Sequence, residues 1–244
     1  MPKNCKVIFM HGLESGLQGK KSKYLHNHFA NTYTPDMQMS LFNIAKKHSV
    51  LRNVFRTSIF RLWCMLLVFS FVVFYYSSTT HTIAYFVMCI LVFLFVKKHI
   101  VRRALDMSLQ QCIAVQTSAL QEFQPHIIVG SSWGGLVALT CMVNNTYRCP
   151  AILIAPPIKM ILNKIDPSGK KWRNICEQAK HISDKIYIVH GDKDQTVPIE
   201  DSREFIAQSG GNLQIIPHGD HSLNESLLQD ETAYALKKII TNLR

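Results

Sequence analysis

Acidic residues are scarce in this chain, and the shortage is local. Between Asp36 and Asp106 there is no Asp or Glu, while the same interval holds Lys46, Lys47, Arg52, Arg56, Arg61, Lys97, Lys98, Arg102 and Arg103. These residues make up most of a net charge of +11, so the rest of the chain is close to neutral. A basic chain invites a nucleic-acid reading. Here the excess brackets the most apolar part of the sequence, as expected at the cytoplasmic face of a membrane, and no nucleic-acid partner is expected. Charge of either sign is missing from Leu62 to Val96. Cys5, Cys64, Cys89, Cys112, Cys141, Cys149 and Cys176 include no Cys-x-x-Cys pair, and their number is odd. That argues against a zinc site or a disulfide framework and for free thiols in a reducing compartment. Val7–Met10 is too short for the apolar region of a signal peptide, so none is expected. No repeat or low-complexity segment is present.

What is there alternates. With 244 residues, 48% of them apolar, the chain can bury one core and carry an insertion. Apolar runs at Lys6–Met10, Ile127–Val129, Ala151–Ala155, Lys185–His190 and Leu213–Ile216 read as buried strands, with a further strand expected at Met37–Phe42. Helical spacing marks Ser22–Tyr33, Ala104–Phe123, Leu136–Val143, Ile199–Gln208 and a terminal helix Ser226–Leu243. Short buried strands alternating with helices imply an α/β fold, a mostly parallel sheet with helices on both faces. Residues 1–50 and 104–244 supply that domain, and residues 51–103 interrupt it.

The interruption contains two almost wholly apolar stretches, Leu62–Tyr76 and Ile83–Val96, separated by Ser77–Thr82. One straight helix over this run would be about 50 Å long, against a hydrocarbon core of about 30 Å. Two helices joined by a polar turn are therefore expected, forming a transmembrane hairpin that meets the bilayer through residues 59–98. A soluble lid and a shallow re-entrant hairpin are the competing readings. A lid would keep a charged outer face, and these stretches have none.

Gly130-Ser131-Ser132-Trp133-Gly134-Gly135 contains Gly-x-Ser-x-Gly, preceded by a strand and followed by a helix. A strand, a sharp turn and a helix hold a serine exposed at the sheet edge, and the glycines admit backbone too close for a Cβ. Ser132 is the expected nucleophile; Ser131 is displaced by one. A glycine-rich phosphate loop is the competing reading. A serine needs a base, and the base an orienting acid. Asp194 follows the strand ending at His190, with Asp192 competing for the acid's role. His221 follows the next strand as the base, with His218 as the alternative. Oxyanion donors are expected from the backbone of Leu13, after the first strand, and of Trp133, at the helix N-terminus. His11 is expected to shape the turn. This set calls for no metal or organic cofactor.

The elbow and the Gly191-Asp192-Lys193-Asp194-Gln195-Thr196-Val197-Pro198 loop resemble the α/β-hydrolase superfamily. His11-Gly12-Leu13-Glu14-Ser15-Gly16, with Lys20-Lys21 opening the first helix, is similar to small bacterial esterases of the YqiA-like type. The resemblance covers residues 5–50 and 104–244, and residues 51–103 depart from it. It implies the α/β-hydrolase fold and hydrolysis of an ester or thioester through an acyl-enzyme, on a small-molecule or lipid acyl substrate. With the hairpin, the expectation is a membrane protein, in the bacterial inner membrane, whose hydrolase domain is cytoplasmic. A non-catalytic, membrane-anchored binding module on the same fold is the alternative.

Overall fold

Runs of Val, Ile and Leu build the centre of the computed structural model, which describes residues 5–76, 79–145, 147 and 149–243. Strands β1 (Lys6–Met10), β2 (Asn31–Tyr33), β3 (Ile127–Ser131), β4 (Ala151–Ile154), β5 (Ile186–Gly191) and β6 (Asn212–Ile216) form one sheet in the order β2-β1-β3-β4-β5-β6. Every pairing is parallel, and β1 meets β3 with Met10 opposite Gly130. Parallel strands covered on both faces read as unbroken apolar runs, and β3 and β4 are buried at every position.

The helices are α1 (Lys20–His28), α2 (Val50–Arg56), α3 (Ser58–Tyr76), α4 (Thr79–Phe123), α5 (Trp133–Asn145), α6 (Ile158–Ile165), α7 (Lys170–Lys180), α8 (Ile199–Ser209), α9 (Asn224–Leu227) and α10 (Leu236–Asn242). The period-two alternation of a strand sends Val7, Phe9, Val129, Ile152 and Val189 to one face, where they pack with Tyr24 and Leu25 of α1 and Leu236 and Ile240 of α10. The other face buries Ile8, Met10, Ile128, Leu153 and Ile188. Helices α5 to α8 pack among themselves, and α5 also lies on β3 and β4.

The chain divides into two compact units, residues 1–38 with 111–244, which hold the sheet, and Met39–Gln110. Within the second unit, α3 and the first part of α4 lie side by side. The Trp63 indole N–H donates to the Cys89 carbonyl at 3.2 Å, and the Trp63 and Phe93 rings are 4.5 Å apart. Asn53 Nδ2 donates to Ser108 Oγ at 2.8 Å, tying α2 to α4. The outward side chains of this pair are apolar, Met65 68% exposed and Phe95 80%. Among the described residues no single helix is long and apolar enough to cross a membrane; Val50–Arg56 and Ser58–Val72, bent by 60°, pass that test only together.

Several local expectations change. Met37–Phe42 is not a strand. Gln38 takes φ +46° and the Asp36 carboxylate caps its N–H, so the backbone turns even though Met37 and Met39 are buried, as they would be in a strand. The edge strand is instead Asn31–Tyr33, directly after a shorter first helix. The second apolar stretch does not stop at Val96: no Gly or Pro occurs between Pro35 and Pro125, and α4 runs unbroken for 45 residues. The turn expected at Ser77–Thr82 is shorter, since Thr79 is already helical, and Ser77 and Ser78 lie outside the described residues. The terminal helix is two pieces. Between them Thr232 Oγ1 donates to the Ser226 carbonyl at 2.6 Å, and Asp230 accepts from Tyr24 at 2.7 Å; such side-chain bonds compete with a continuous helix.

Helix α5 sits close enough to the sheet to require glycine. A Cβ on Gly134 would lie 2.0 Å from the Met10 carbonyl oxygen, whereas one on Gly16 would meet nothing within 4 Å. Gly134→Ala is therefore expected to destabilise the protein by about 3 kcal/mol through overpacking, and Gly16→Ala to change stability little. Urea unfolding of the two variants checks this; equal stabilities would mean that α5 can retreat without cost.

Candidate active site

Ser132 occupies the turn between β3 and α5 with φ +53°. A left-handed conformation costs a non-glycine residue about 1–3 kcal/mol and persists only where surroundings enforce it. The Ser132 N–H donates to the Ile154 carbonyl at 2.7 Å, and its carbonyl accepts from Gly135 N at 2.8 Å. So held, the Ser132 hydroxyl donates to His221 Nε2 at 3.0 Å, and His221 Nδ1–H donates to Asp194 Oδ2 at 2.7 Å. The other carboxylate oxygen of Asp194 accepts from the backbone N–H groups of Thr196 at 2.8 Å and Val197 at 2.9 Å. The Asp194 side chain is fully buried, and that of His221 is 26% exposed. The three residues follow β3, β5 and β6, at the carboxyl edge where open α/β sheets place their ligands. Asp192 and His218, the alternatives from sequence, are both exposed, and His218 sits at φ +58°.

Sequence reasoning gave His190 no role, although it ends the strand that leads to Asp194. It is fully buried. Its Nε2 lies 3.0 Å from the Val197 carbonyl oxygen and 3.2 Å from Asp194 Oδ2, while Nδ1 lies 2.7 Å from Ser202 Oγ. With carbonyl and carboxylate oxygens around it, Nε2 carries the proton and donates, and the Ser202 hydroxyl donates to Nδ1. Burial lowers the pKa of His190 below its ordinary value, so it acts as a neutral donor to the buried carboxylate. A polar residue ending an apolar strand, four residues before Asp194, is the signal that was available.

His11 is likewise buried. Met37 N–H donates to its Nε2 at 3.1 Å, which leaves Nδ1–H to donate to the Gly12 carbonyl at 2.9 Å. The ring thus pins the loop after β1. Gly12 lies against the elbow, where a Cβ would be 3.3 Å from the Ser131 carbonyl oxygen. Leu13, Ser132 and His221 line one cavity of about 360 Å³, together with Phe9, Lys20 and Lys21. Trp133 is the first residue of α5, and its side chain is buried. Among the described residues, no three His, Cys, Asp or Glu side chains are grouped to hold a metal ion.

No protein-family model and no curated protein matches the chain. Solved structures do. Est1E from Butyrivibrio proteoclasticus superposes with a TM-score of 0.54 at 17% identity, covering 99% of this chain and 89% of that one. A CIB-like hydrolase from Thermoplasma acidophilum gives 0.53 at 15% identity, over 99% and 86%. A protein assigned to the α/β hydrolase superfamily, from Xanthomonas campestris pv. campestris, gives 0.52 at 17% identity, over 98% and 99%. At these identities the likeness establishes the fold, that of the α/β hydrolases.

The depressed pKa of His190 has a consequence for stability. The unfolded chain titrates this imidazole near 6.5 and the folded chain at lower pH, so between those values the unfolded state binds more protons. Its contribution is complete above that range and lost as pH falls through it. The melting temperature is expected to drop from pH 7 to pH 5, and His190→Gln to reduce that slope. An unchanged slope in the variant would assign the acid sensitivity to other groups.

Proposed function

We propose that this protein is a membrane-anchored serine hydrolase that cleaves a carboxylic ester or thioester through an acyl-enzyme. The observation that carries the hydrolase reading is the hydrogen-bonded line Ser132–His221–Asp194 opening on a cavity walled by Leu13. In this reading His221 Nε2 takes the Ser132 proton as Oγ attacks the carbonyl carbon. Asp194, a buried carboxylate, holds the imidazole by Nδ1–H and stabilises its charged form. The backbone N–H groups of Leu13 and Trp133 receive the oxyanion. The imidazolium returns its proton to the departing alcohol or thiol, and the Ser132 acyl ester remains. A water molecule, deprotonated by His221, then releases the acid and restores Ser132.

Ser132→Ala is expected to lower kcat on a short-chain aryl ester by at least about a thousandfold and to abolish labelling by a fluorophosphonate probe. Ser131→Ala is expected to retain both. Should the wild type resist the probe, the alternative of a non-catalytic binding module on this fold takes over.

The membrane reading rests on the second unit. Residues 62–96 carry no charge, their outward side chains are large and apolar, and an exposed apolar surface of this kind marks a membrane or partner contact. Basic residues stand before α3 and again after the apolar part of α4. Two passes return the chain to its starting side, as one sheet requires, and the positive flanks make that side cytoplasmic, in a bacterial inner membrane. Membranes washed with alkaline carbonate are expected to retain the full chain. A cysteine placed at Thr80, on a background without other accessible thiols, is expected to react with an impermeant maleimide from outside the cell. Release by carbonate would replace the anchor with the lid reading.

A further inference from the structure

We infer that the substrate of this site carries an anionic group, a carboxylate or a phosphate, bound by Lys20 beside the first turn of α1. The inference rests on the proposed hydrolase reading and names its substrate class. The cavity that holds Ser132 and His221 is lined by two lysines, Lys20 and Lys21, and by no Asp or Glu.

The two lysines are in different situations. Lys21 is committed to the loop that carries His221: its ammonium donates to the Ser222 carbonyl at 2.5 Å and to Asn224 Oδ1 at 3.3 Å. Burial lowers its pKa to about 8, partly offset by the charge of Asp220. An ammonium has three donors, so this part-buried cation keeps one for a ligand. Lys20 lines the same cavity, is exposed, and forms no ion pair with a carboxylate among the described residues.

The backbone adds to this. Gly19, at the N-cap of α1, offers no side-chain cap, and the first turn contains no acidic residue. Its N–H groups and the positive end of the helix dipole are therefore uncompensated from within the helix. Ser15 and Gly19 line the same cavity. A cavity lined by two cations, one of them partly desolvated, and by no carboxylate favours a ligand that brings a negative charge. A neutral acyl chain would desolvate Lys21 further without return and offer Lys20 no counter-charge. A carboxylate in the acyl chain and a phosphate on the alcohol both satisfy the wall.

Two pairs of esters test the inference. One is an aryl ester of glutaric acid with its second carboxylate free, against the aryl hexanoate; the other is a short-chain monoacylglycerol phosphate, against the monoacylglycerol. The wild type is expected to show at least a tenfold higher kcat/KM for the anionic member of one pair. The pair that responds identifies carboxylate or phosphate as the recognised group. Lys20→Gln is expected to collapse that ratio through KM, and Lys20→Arg to retain it. Free glutarate or inorganic phosphate is expected to slow fluorophosphonate labelling of Ser132 in the wild type more than in Lys20→Gln. Equal or better turnover of the neutral esters, or a ratio unchanged in Lys20→Gln, overturns the inference while leaving the hydrolase standing. If neither pair is hydrolysed but Ser132 is labelled, the competition by anions decides. If Ser132 is not labelled at all, the inference falls together with the hydrolase reading.

Discussion

Helix α5 begins so close to the end of β1 that no methyl group fits between them. Gly134 would place a Cβ 2.0 Å from the Met10 carbonyl oxygen, and Gly130 would place one 2.6 Å from the Gly134 carbonyl oxygen. The chain can pass from β3 into α5 at that distance only by a sharp reversal, and Ser132 makes it at φ +53°. Because Met10 pairs with Gly130, the same contact brings the His11-Gly12-Leu13 loop against the serine. A second contact of the same kind joins the other two site loops. A Cβ on Gly191 would lie 2.1 Å from the Gly219 carbonyl oxygen, and Asp192 N and Lys193 N donate to the carbonyls of Ile216 and Gly219. Four loops are thereby joined in two pairs by backbone proximity, before any side chain is considered.

Burying a carboxylate at such a place is costly unless its lone pairs are occupied. Asp194 meets four N–H donors: two from the backbone of Thr196 and Val197, one from His221 and one shared by His190. The backbone pair fixes Oδ1, so Oδ2 is the atom presented to the imidazoles. His190 contributes because it is neutral; a second imidazolium there would compete with His221 for the same oxygen. Lys21 acts on the other side of His221, holding the Ser222 carbonyl one residue after it. His221 is thus restrained both through its ring and through its backbone.

Much of this was legible in the sequence, for reasons that differ by residue. Ser132 could be read because the elbow is local: a strand, three glycines and a helix within about a dozen positions. Asp194 and His221 could be read because parallel sheets deliver their loops to one edge in chain order. What choosing Asp194 over Asp192 required, the pairing with His221 across 27 residues, is a matter of tertiary distance. His190 was present in the motif but had no visible task, since its approach to Asp194 and Val197 depends on how the following loop folds back; Lys21 had none because its partners, Ser222 and Asn224, lie in another loop. The Met37–Phe42 segment misled because its alternation is real burial without strand backbone. The segment after Leu227 misled because apolar spacing persists where Asp230 and Thr232 use their side chains against the helix. Helices α6 and α7, which follow the Pro156-Pro157 pair, were not anticipated.

The insertion raises the question of how a fold tolerates a long apolar segment in its middle. Its position answers it. The segment leaves after β2, at the sheet edge, and returns at β3, on the far side of β1. Parallel strands cannot be joined by a tight turn, so this connection has to be a crossover whatever its length. The last part of α4 serves as that crossover, with Gln116 Nε2 donating to the Pro35 carbonyl at 3.3 Å to close the excursion near its start. Once the ends are fixed, added length costs only logarithmically in chain entropy. The absence of Gly and Pro between Pro35 and Pro125 lets the returning helix continue without a break from the apolar stretch into the crossover.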